Sequence, residues 1–229
     1  MPESTPPRIL AIDTSLEDCA VAIAAGSRVA IVRETIGRGH AERLFGMVEA
    51  ALAEAGLRLG DIDRFAVTTG PGSFTGIRVG VAAARGFALA TGRPAFGIST
   101  LAAHAAEARA MAGRVSVLAV LLAKGGEAFA QLFLADGSSA GLPEAVQHAA
   151  LAIRAFDTGA VLAGAGADAV AAAWPSFPAP EIVHRRSAPD IRTVLDLASF
   201  AGPEASPPRP LYIRPPDAAP ATGFAVARR

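Results

Sequence analysis

The stretch Thr68-Thr69-Gly70-Pro71-Gly72-Ser73-Phe74-Thr75-Gly76-Ile77-Arg78-Val79-Gly80 constrains this chain more than any other. It follows an apolar run, Phe65-Ala66-Val67, that reads as a buried strand, and it opens a helix expected over Phe74 to Thr91. Pro71 fixes its own φ and the flanking glycines admit φ > 0, so Gly70-Pro71-Gly72 is a turn. Ser73 stands where a side-chain oxygen can accept from a backbone N–H two or three residues on. Two readings are open for the turn: a capped strand-to-helix connection, or a helix N-terminus that holds an anion. It is not a phosphate loop, because no Lys-Ser or Lys-Thr follows Gly76, and the glycines are one residue too far apart for G-x-G-x-x-G.

The helix is apolar nearly all round, which implies burial on more than one side. Gly76, Gly80, Ala84 and Ala88 recur every fourth residue and form a smooth row that another helix or sheet can approach closely. Arg78 and Arg85 give the helix its charged edge. We expect one side to pack on the chain's own sheet and the glycine row to meet a partner. Internal burial by the second half of the chain is the alternative.

Around this core, Arg8 to Ser15, Cys19 to Ala25 and Arg28 to Glu34 read as an antiparallel three-strand meander. Asp13, Thr14 and Ser15 lie at its first turn, where a carboxylate and two hydroxyls can meet a phosphate or its magnesium, or close an Asx or Ser/Thr turn. His40 to Ala55 is a helix stopped by Gly56, with Leu44, Val48, Ala51, Leu52 and Ala55 on its apolar face. Arg43, Gly46, Met47 and Ala50 form a further face, neither core-like nor strongly polar. Pro94 to Ile98 is a strand, followed by a helix capped by Ser99 or Thr100 and running to about Met111.

A hairpin is expected from Val115–Leu122 and Ala128–Ala135, then a strand at Val161-Leu162-Ala163 and a short helix at Ala167–Trp174. Pro175 to Val183 reads as loop, Asp190 to Phe200 as helix, and Pro203 to Pro220 as a Pro- and Ala-rich tail anchored by Leu211-Tyr212-Ile213. No internal sequence repeat is visible. With 52% hydrophobic but only 6% aromatic residues, the core must be built from Ala, Val, Leu and Ile.

Charge and cysteine usage narrow the function classes. Twenty-one basic and 21 acidic residues give zero formal net charge, which argues against a broad nucleic-acid-binding face. Cys19 is the sole cysteine, so there is no internal disulfide and no cysteine zinc site. No apolar run is long enough to span a bilayer and the N-terminus lacks a signal-peptide pattern, so the expected location is cytoplasmic.

Several segments occur together in order: Ile9 to Ser15, His40-Ala41-Glu42-Arg43-Leu44, Thr69 to Gly80, Gly97-Ile98-Ser99-Thr100-Leu101 and the closing Leu211-Tyr212-Ile213-Arg214. Together they resemble the TsaB (YeaZ) family of tRNA threonylcarbamoyladenosine biosynthesis proteins, strongly over residues 8–105 and thinly afterwards. The resemblance implies an α/β, actin/hexokinase/heat-shock-type ATPase-like fold with two lobes of mixed sheet plus helices, the second degenerate. The expected lobes are residues 1–105 and 106–229.

The resemblance also implies a non-catalytic subunit that pairs with a TsaD-type catalytic subunit, joined by a TsaE-type ATPase. tRNA is met only through the complex, homodimers form when the chain is alone, and no membrane is involved. The expected partner interface comprises Arg43, Gly46, Met47, Ala50, Gly76, Arg78, Gly80, Ala84 and Arg85. No catalytic residue, metal or resident cofactor is expected. Asp13, Thr14 and Ser15 are weak nucleotide-binding candidates, and a nucleotide at the subunit junction is left open.

The catalytic relative holds its metal with two histidines four apart on a helix; the matching positions here are Thr100 and His104, so the chelate is incomplete. That absence also counts against a metallopeptidase. Family members commonly carry Asp-Ala-Arg in the second-lobe hairpin, where this chain has Leu122-Ala123-Lys124. The alternative to a scaffold, an independent ATPase or small-molecule kinase of the same fold, needs phosphate loops and an acid in both lobes. His148 and His184 stand apart from His104 in sequence.

Overall fold

The structure, a computed structural model, describes residues 6–176, 178–200 and 207–214. The expected tail therefore lies outside the described residues except for 207–214. Two five-stranded mixed sheets form the framework. The first contains β1 (Ile9–Asp13), β2 (Asp18–Ala25), β3 (Arg28–Thr35), β4 (Arg64–Gly70) and β5 (Ala95–Ser99), in the order β3-β2-β1-β4-β5. The second contains β6 (Val117–Leu122), β7 (Glu127–Phe133), β8 (Glu144–Gln147), β9 (Val161–Ala163) and β10 (Ile182–His184), in the order β8-β7-β6-β9-β10.

Counted within each lobe, both orders are 3-2-1-4-5. In both, the first three strands are antiparallel and the fourth and fifth run parallel to the first. Each lobe also carries three helices at matching places: α1 (His40–Ala55), α2 (Phe74–Thr91) and α3 (Thr100–Ala112), then α4 (His148–Thr158), α5 (Ala167–Ala172) and α6 (Ile191–Ser199). The chain is thus a duplicated β-β-β-α-β-α-β-α unit, the actin/hexokinase/heat-shock-type ATPase arrangement. The duplication survives in topology though no sequence repeat marks it. The second copy is pared down: β9 and β10 have 3 residues each and α5 has 6, against 18 in α2.

Strand alternation assigns the layers. On β1, Leu10 and Ile12 face α1 and α2, packing with Leu44, Met47, Val48, Ile77, Val81 and Ala84. Ile9 and Ala11 face the opposite way and pack on Ile191, Val194, Leu195 and Ala198 of α6. On β6, Leu118 and Val120 pack with Leu151, Ala155, Ala167 and Val170 of α4 and α5, while Val117, Ala119 and Leu121 meet Leu101, Ala105 and Ala108 of α3. The third helix of each copy therefore covers the other copy's sheet. Because both faces of the central strands are covered, those strands read as continuous apolar runs.

Three sequence expectations change. Residues 144–158, not assigned from sequence, form β8 and α4. The stretch expected to be loop through Val183 ends in strand β10. His40, whose place at a helix start reads from sequence as a cap or surface group, is instead buried, and its Nε2 meets the Asp18 carbonyl oxygen at 3.2 Å.

Candidate functional site

The glycine turn and residues 13–15, singled out separately in the sequence, are one structural unit. Gly70 adopts φ +103° before a cis Pro71. Ser73 caps α2 by accepting from the Gly76 N–H, and the Ser73 N–H donates to the Ser15 carbonyl at 2.6 Å. A Cβ on Gly72 or Gly76 would overlap the Ser15 or Thr14 carbonyl oxygen, and one on Gly80 would strike the Thr14 hydroxyl. Thr14 Oγ1 donates to the Gly76 carbonyl at 2.7 Å. The glycines admit the first strand's own turn, so the place where an anion could have sat at this helix start is occupied by chain carbonyls.

Asp13, Thr14 and Ser15 are accordingly buried rather than presented to a ligand. Asp13 Oδ1 accepts from the Ser15 N–H at 2.9 Å, the Ser15 hydroxyl at 2.7 Å and the Thr68 hydroxyl at 2.5 Å, which is an Asx turn reinforced from β4. Its Oδ2 is buried with no hydrogen-bond partner. Burial raises the Asp13 carboxyl above its ordinary range, outweighing the three hydrogen bonds that favour the charged form.

The cleft between the lobes, about 320 Å³, is lined by Leu16, Leu121, Leu122, Phe129 and Ala165, together with Glu17, Ser187 and the Gly72-Ser73 end of the glycine turn. Leu122, which stands where the resemblance leads us to expect an acid, is 59% exposed beside it. This lining is largely apolar.

The expected interface residues divide. Gly76, Gly80, Ala84 and Met47 are buried within the first lobe. Correcting the expectation for the glycine row, these residues face the chain's own β1 and β4, since Thr14, Ile12 and Val67 fill the space above Gly80. Met47 joins Leu44 and Val48 in the core of α1. Arg43, Gly46, Ala50, Arg78 and Arg85 are exposed. Arg43 makes a bidentate pair with Glu34 of β3, at 2.9 and 2.5 Å.

Arg78 lies 3.6 Å over the Phe74 ring and donates from Nε to the Tyr212 hydroxyl at 2.7 Å. With the Leu211 N–H donating to the Thr69 carbonyl, this fastens segment 207–214 across the start of α2. Arg214 at its end pairs with Glu127 of the second lobe.

Two residues on the outer surface of α1 and α2 are not among the expected interface positions: Phe45, which sequence reasoning missed, and Leu89, which reads from sequence as an apolar flank of the glycine row. Phe45 is 57% and Leu89 is 87% exposed, amid exposed Gly46, Ala50, Ala82 and Gly86. Phe45 sits edge-on to Phe87 at 5.9 Å, which joins the two helices at this surface. The signal available was an aromatic on α1 off the apolar stripe and a leucine at the far end of α2.

On the opposite side, Thr100 is buried with its hydroxyl unpartnered, and no imidazole stands four residues before His104. The helix pair that binds metal in the catalytic relative therefore does not fit here. His104 instead lies beside His184, ring centroids 5.4 Å apart, although the sequence gave no reason to join them. His148 sits on α4, away from this pair. Burial, and next the neighbouring His184, pushes the His104 ring down to about 3, so it is neutral at physiological pH. Burial likewise pushes the Cys19 thiol up to about 11, consistent with an inert core residue. Among the described residues no helix is long and apolar enough to cross a membrane.

Comparison with known proteins places the chain. The family model described as "TsaD: tRNA N6-adenosine threonylcarbamoyltransferase" matches residues 27–156. The tRNA threonylcarbamoyladenosine biosynthesis protein TsaB of Escherichia coli is 42% identical over 122 residues, covering 53% of each protein, so the chain spans about half the length of this curated relative. A Pseudomonas aeruginosa structure described as similar to peptidase YeaZ superposes with TM-score 0.79 at 32% identity, covering 91% of this chain and 100% of that one. YeaZ from Pseudomonas aeruginosa superposes with TM-score 0.74 at 32% identity, covering 90% and 99%. With a duplicated fold, a glycine turn locked onto residues 13–15 and these matches over nearly the whole described chain, this protein belongs to the TsaB/YeaZ family, and its residues 27–156 carry the domain shared with TsaD.

Proposed function

We propose that the chain is a non-catalytic subunit in the formation of threonylcarbamoyladenosine on tRNA, acting by pairing its α1–α2 face with a TsaD-type catalytic subunit. The observation that carries this is the exposure of Phe45 on α1 and Leu89 on α2 among the small residues Gly46, Ala50, Ala82 and Gly86, which leaves apolar area between charged edges that a second protein can cover. Arg43, Gly46, Ala50, Arg78 and Arg85 frame that face. In this reading the partner holds the metal and transfers the threonylcarbamoyl group from its adenylate to the adenosine beside the anticodon. A TsaE-type ATPase joins them in the cytoplasm, and tRNA reaches the chain through the complex, in keeping with its zero net charge. Alone, the same face forms homodimers.

The apolar inter-lobe cleft and the enclosure of Asp13 weigh against an independent ATPase or kinase. The test is co-expression with the TsaD-type subunit of the same genome followed by pull-down and circular dichroism. Wild type is expected to co-elute, and a folded Leu89→Arg, Phe45→Glu variant to lose the partner. Undiminished pairing by that variant rejects this face. ATP hydrolysis by the purified chain, abolished by Asp13→Ala, rejects the non-catalytic role.

A further inference from the structure

The exchange of third helices brings together three side chains that no local motif joins. His104 lies midway along α3, is 0% exposed, and makes no well-formed hydrogen bond at either ring nitrogen among the described residues, although the Ser187 backbone lies close enough to favour its charged form. An unpartnered buried imidazole is costly, and a leucine would fill the same space without that cost. Glu107 lies one turn further on, on the same side of the helix. His184 ends β10 in the second sheet. One potential ligand atom from each of the three lies within 4.8 Å of the others, and all three residues are buried.

Their surroundings hold them as ligands are held. The His184 Nε2 meets the His104 carbonyl oxygen at 3.2 Å, so Nε2 carries the proton, and the Nδ1 lone pair accepts only a long hydrogen bond, 3.4 Å, from the Arg186 N–H, which a bound ion would displace. An N–H donated to a backbone carbonyl is the usual way a metal-binding imidazole is oriented. Glu107 Oε2 accepts from the Asp190 N–H at 3.1 Å, which fixes the carboxylate plane. The Glu107 Oε1 is 2.9 Å from the Arg186 guanidinium, and that guanidinium is already 3.7 Å from Asp190 Oδ2. Arg186 is half exposed and can pass to Asp190 when a cation takes its place at Glu107.

We propose that His104, Glu107 and His184 bind one divalent transition-metal ion of the zinc class. Two imidazoles and one carboxylate are a borderline donor set that suits zinc and leaves a fourth position open. Ligand atoms about 2.1 Å from a tetrahedral ion sit roughly 3.4 Å apart, so the site closes by small side-chain rotations. The donor set is not the i, i+4 histidine chelate of the catalytic relative; it keeps the His104 position and completes it with Glu107 one turn further on and His184 from a strand of the second sheet. The bound ion pins the helix of one lobe to the outer strand of the other, next to the start of α6.

The test uses the full chain, stripped with chelator, equilibrated with zinc and freed of excess. Metal content is measured by mass spectrometry, unfolding by calorimetry, and cobalt(II) replaces zinc for visible spectra. Wild type is expected to retain one ion per chain. Its unfolding temperature should rise by about 5–10 °C at free zinc ~100-fold above Kd. His184→Ala and Glu107→Gln should each weaken binding by about 100-fold or more. His184→Cys, which keeps a zinc donor, should retain the ion and add a thiolate-to-cobalt charge-transfer band. His148→Ala should behave as wild type.

A wild-type chain that retains no zinc overturns the proposal. Equal zinc content and equal thermal shift in His184→Ala and wild type also overturn it, since the metal is then an adventitious ion only. If His184→Ala does not fold, the wild-type cobalt spectrum and the His184→Cys band decide, and the absence of both sinks the site.

Discussion

The turn after β4 and the turn after β9 occupy the same place in the duplicated unit, yet they do different amounts of work. Both bring a helix start against the end of the central strand. Gly70 has φ +103° and Gly164 has φ +107°, and a Cβ on Gly164 would overlap the Val120 carbonyl oxygen much as one on Gly72 would overlap that of Ser15. Beyond that the copies part. In the first lobe the close approach continues through Gly76 and Gly80 for two turns of an 18-residue helix, over a buried acid with its hydroxyl partners. In the second lobe it ends at Gly166, whose Cβ would lie 3.3 Å from the Val120 backbone, tight but without the outright overlap met at Gly76, and the helix stops after 6 residues beside leucines. The lesson is that one topology needs a single glycine contact to turn the chain, while the extra glycines seat a long helix and free its far side for the surface.

The comparison can be broken most forcefully through the helices the lobes exchange. Leu101→Ala in α3 and Leu195→Ala in α6, both buried, should each cost about 2–5 kcal/mol. Hydrogen exchange should show loss of protection in the opposite lobe's sheet. Protection lost in the helix's own lobe instead would reject the exchange.

Next in size, Gly76→Ala should cost about 3 kcal/mol through overlap with Thr14, against less than about 1 kcal/mol for Gly166→Ala, read from denaturant unfolding. Equal costs would erase the distinction between the turns.

A smaller effect follows from Asp13. Its carboxyl is raised above its ordinary value, so the folded state holds the proton more tightly than the unfolded one. Its contribution to stability is therefore fullest below about 3.8 and declines as pH rises through the raised value. Asp13→Asn keeps an Oδ1 acceptor and cannot ionise, so that decline should vanish, leaving the variant at pH 7 as stable as wild type or more so by on the order of 1 kcal/mol. Marked destabilisation at pH 7 would mean that the charge itself is needed. The smallest change is Gly86→Ala, with nothing within 4 Å of the new methyl group; it should raise stability by about 0.4–1 kcal/mol. That result, beside Gly76→Ala, would separate the seated and free sides of one helix by thermal melting.

Much of this was legible in the sequence. α1 and α2 begin and end where glycine stops, the Ser73 cap and apolar periodicity place them, and the N-terminal meander follows from alternation. The anchoring of Leu211 and Tyr212 was also legible. The i, i+4 row was visible too, but spacing says only that something approaches closely, and the body that does so is Thr14 on the chain's own first strand. β8 and α4 left weak traces. Gln147 makes no capping bond, β8 is a 4-residue edge, and Ile153 and Phe156 interrupt the apolar stripe from the outside, where Phe156 stacks on Trp174 at 4.5 Å. The meeting of His104 with His184 had no local signature. It depends on α3 leaving its own lobe, and 80 residues separate the two.

The exchange of third helices also sets a schedule for making the protein. β5 closes the first sheet at Ser99, but the helix that roofs its second face ends at Ser199. At roughly 5–20 residues per second a ribosome takes about 5–20 s to supply that roof. Until then Ile9, Ala11, Ala22 and Ala66 lack the α6 residues Ile191, Val194, Leu195 and Ala198 that cover them in the finished fold, where the first half itself also supplies Ile98 and Ala103 to this cluster. The last surface of the amino-terminal sheet therefore closes only when nearly all of the described chain has emerged.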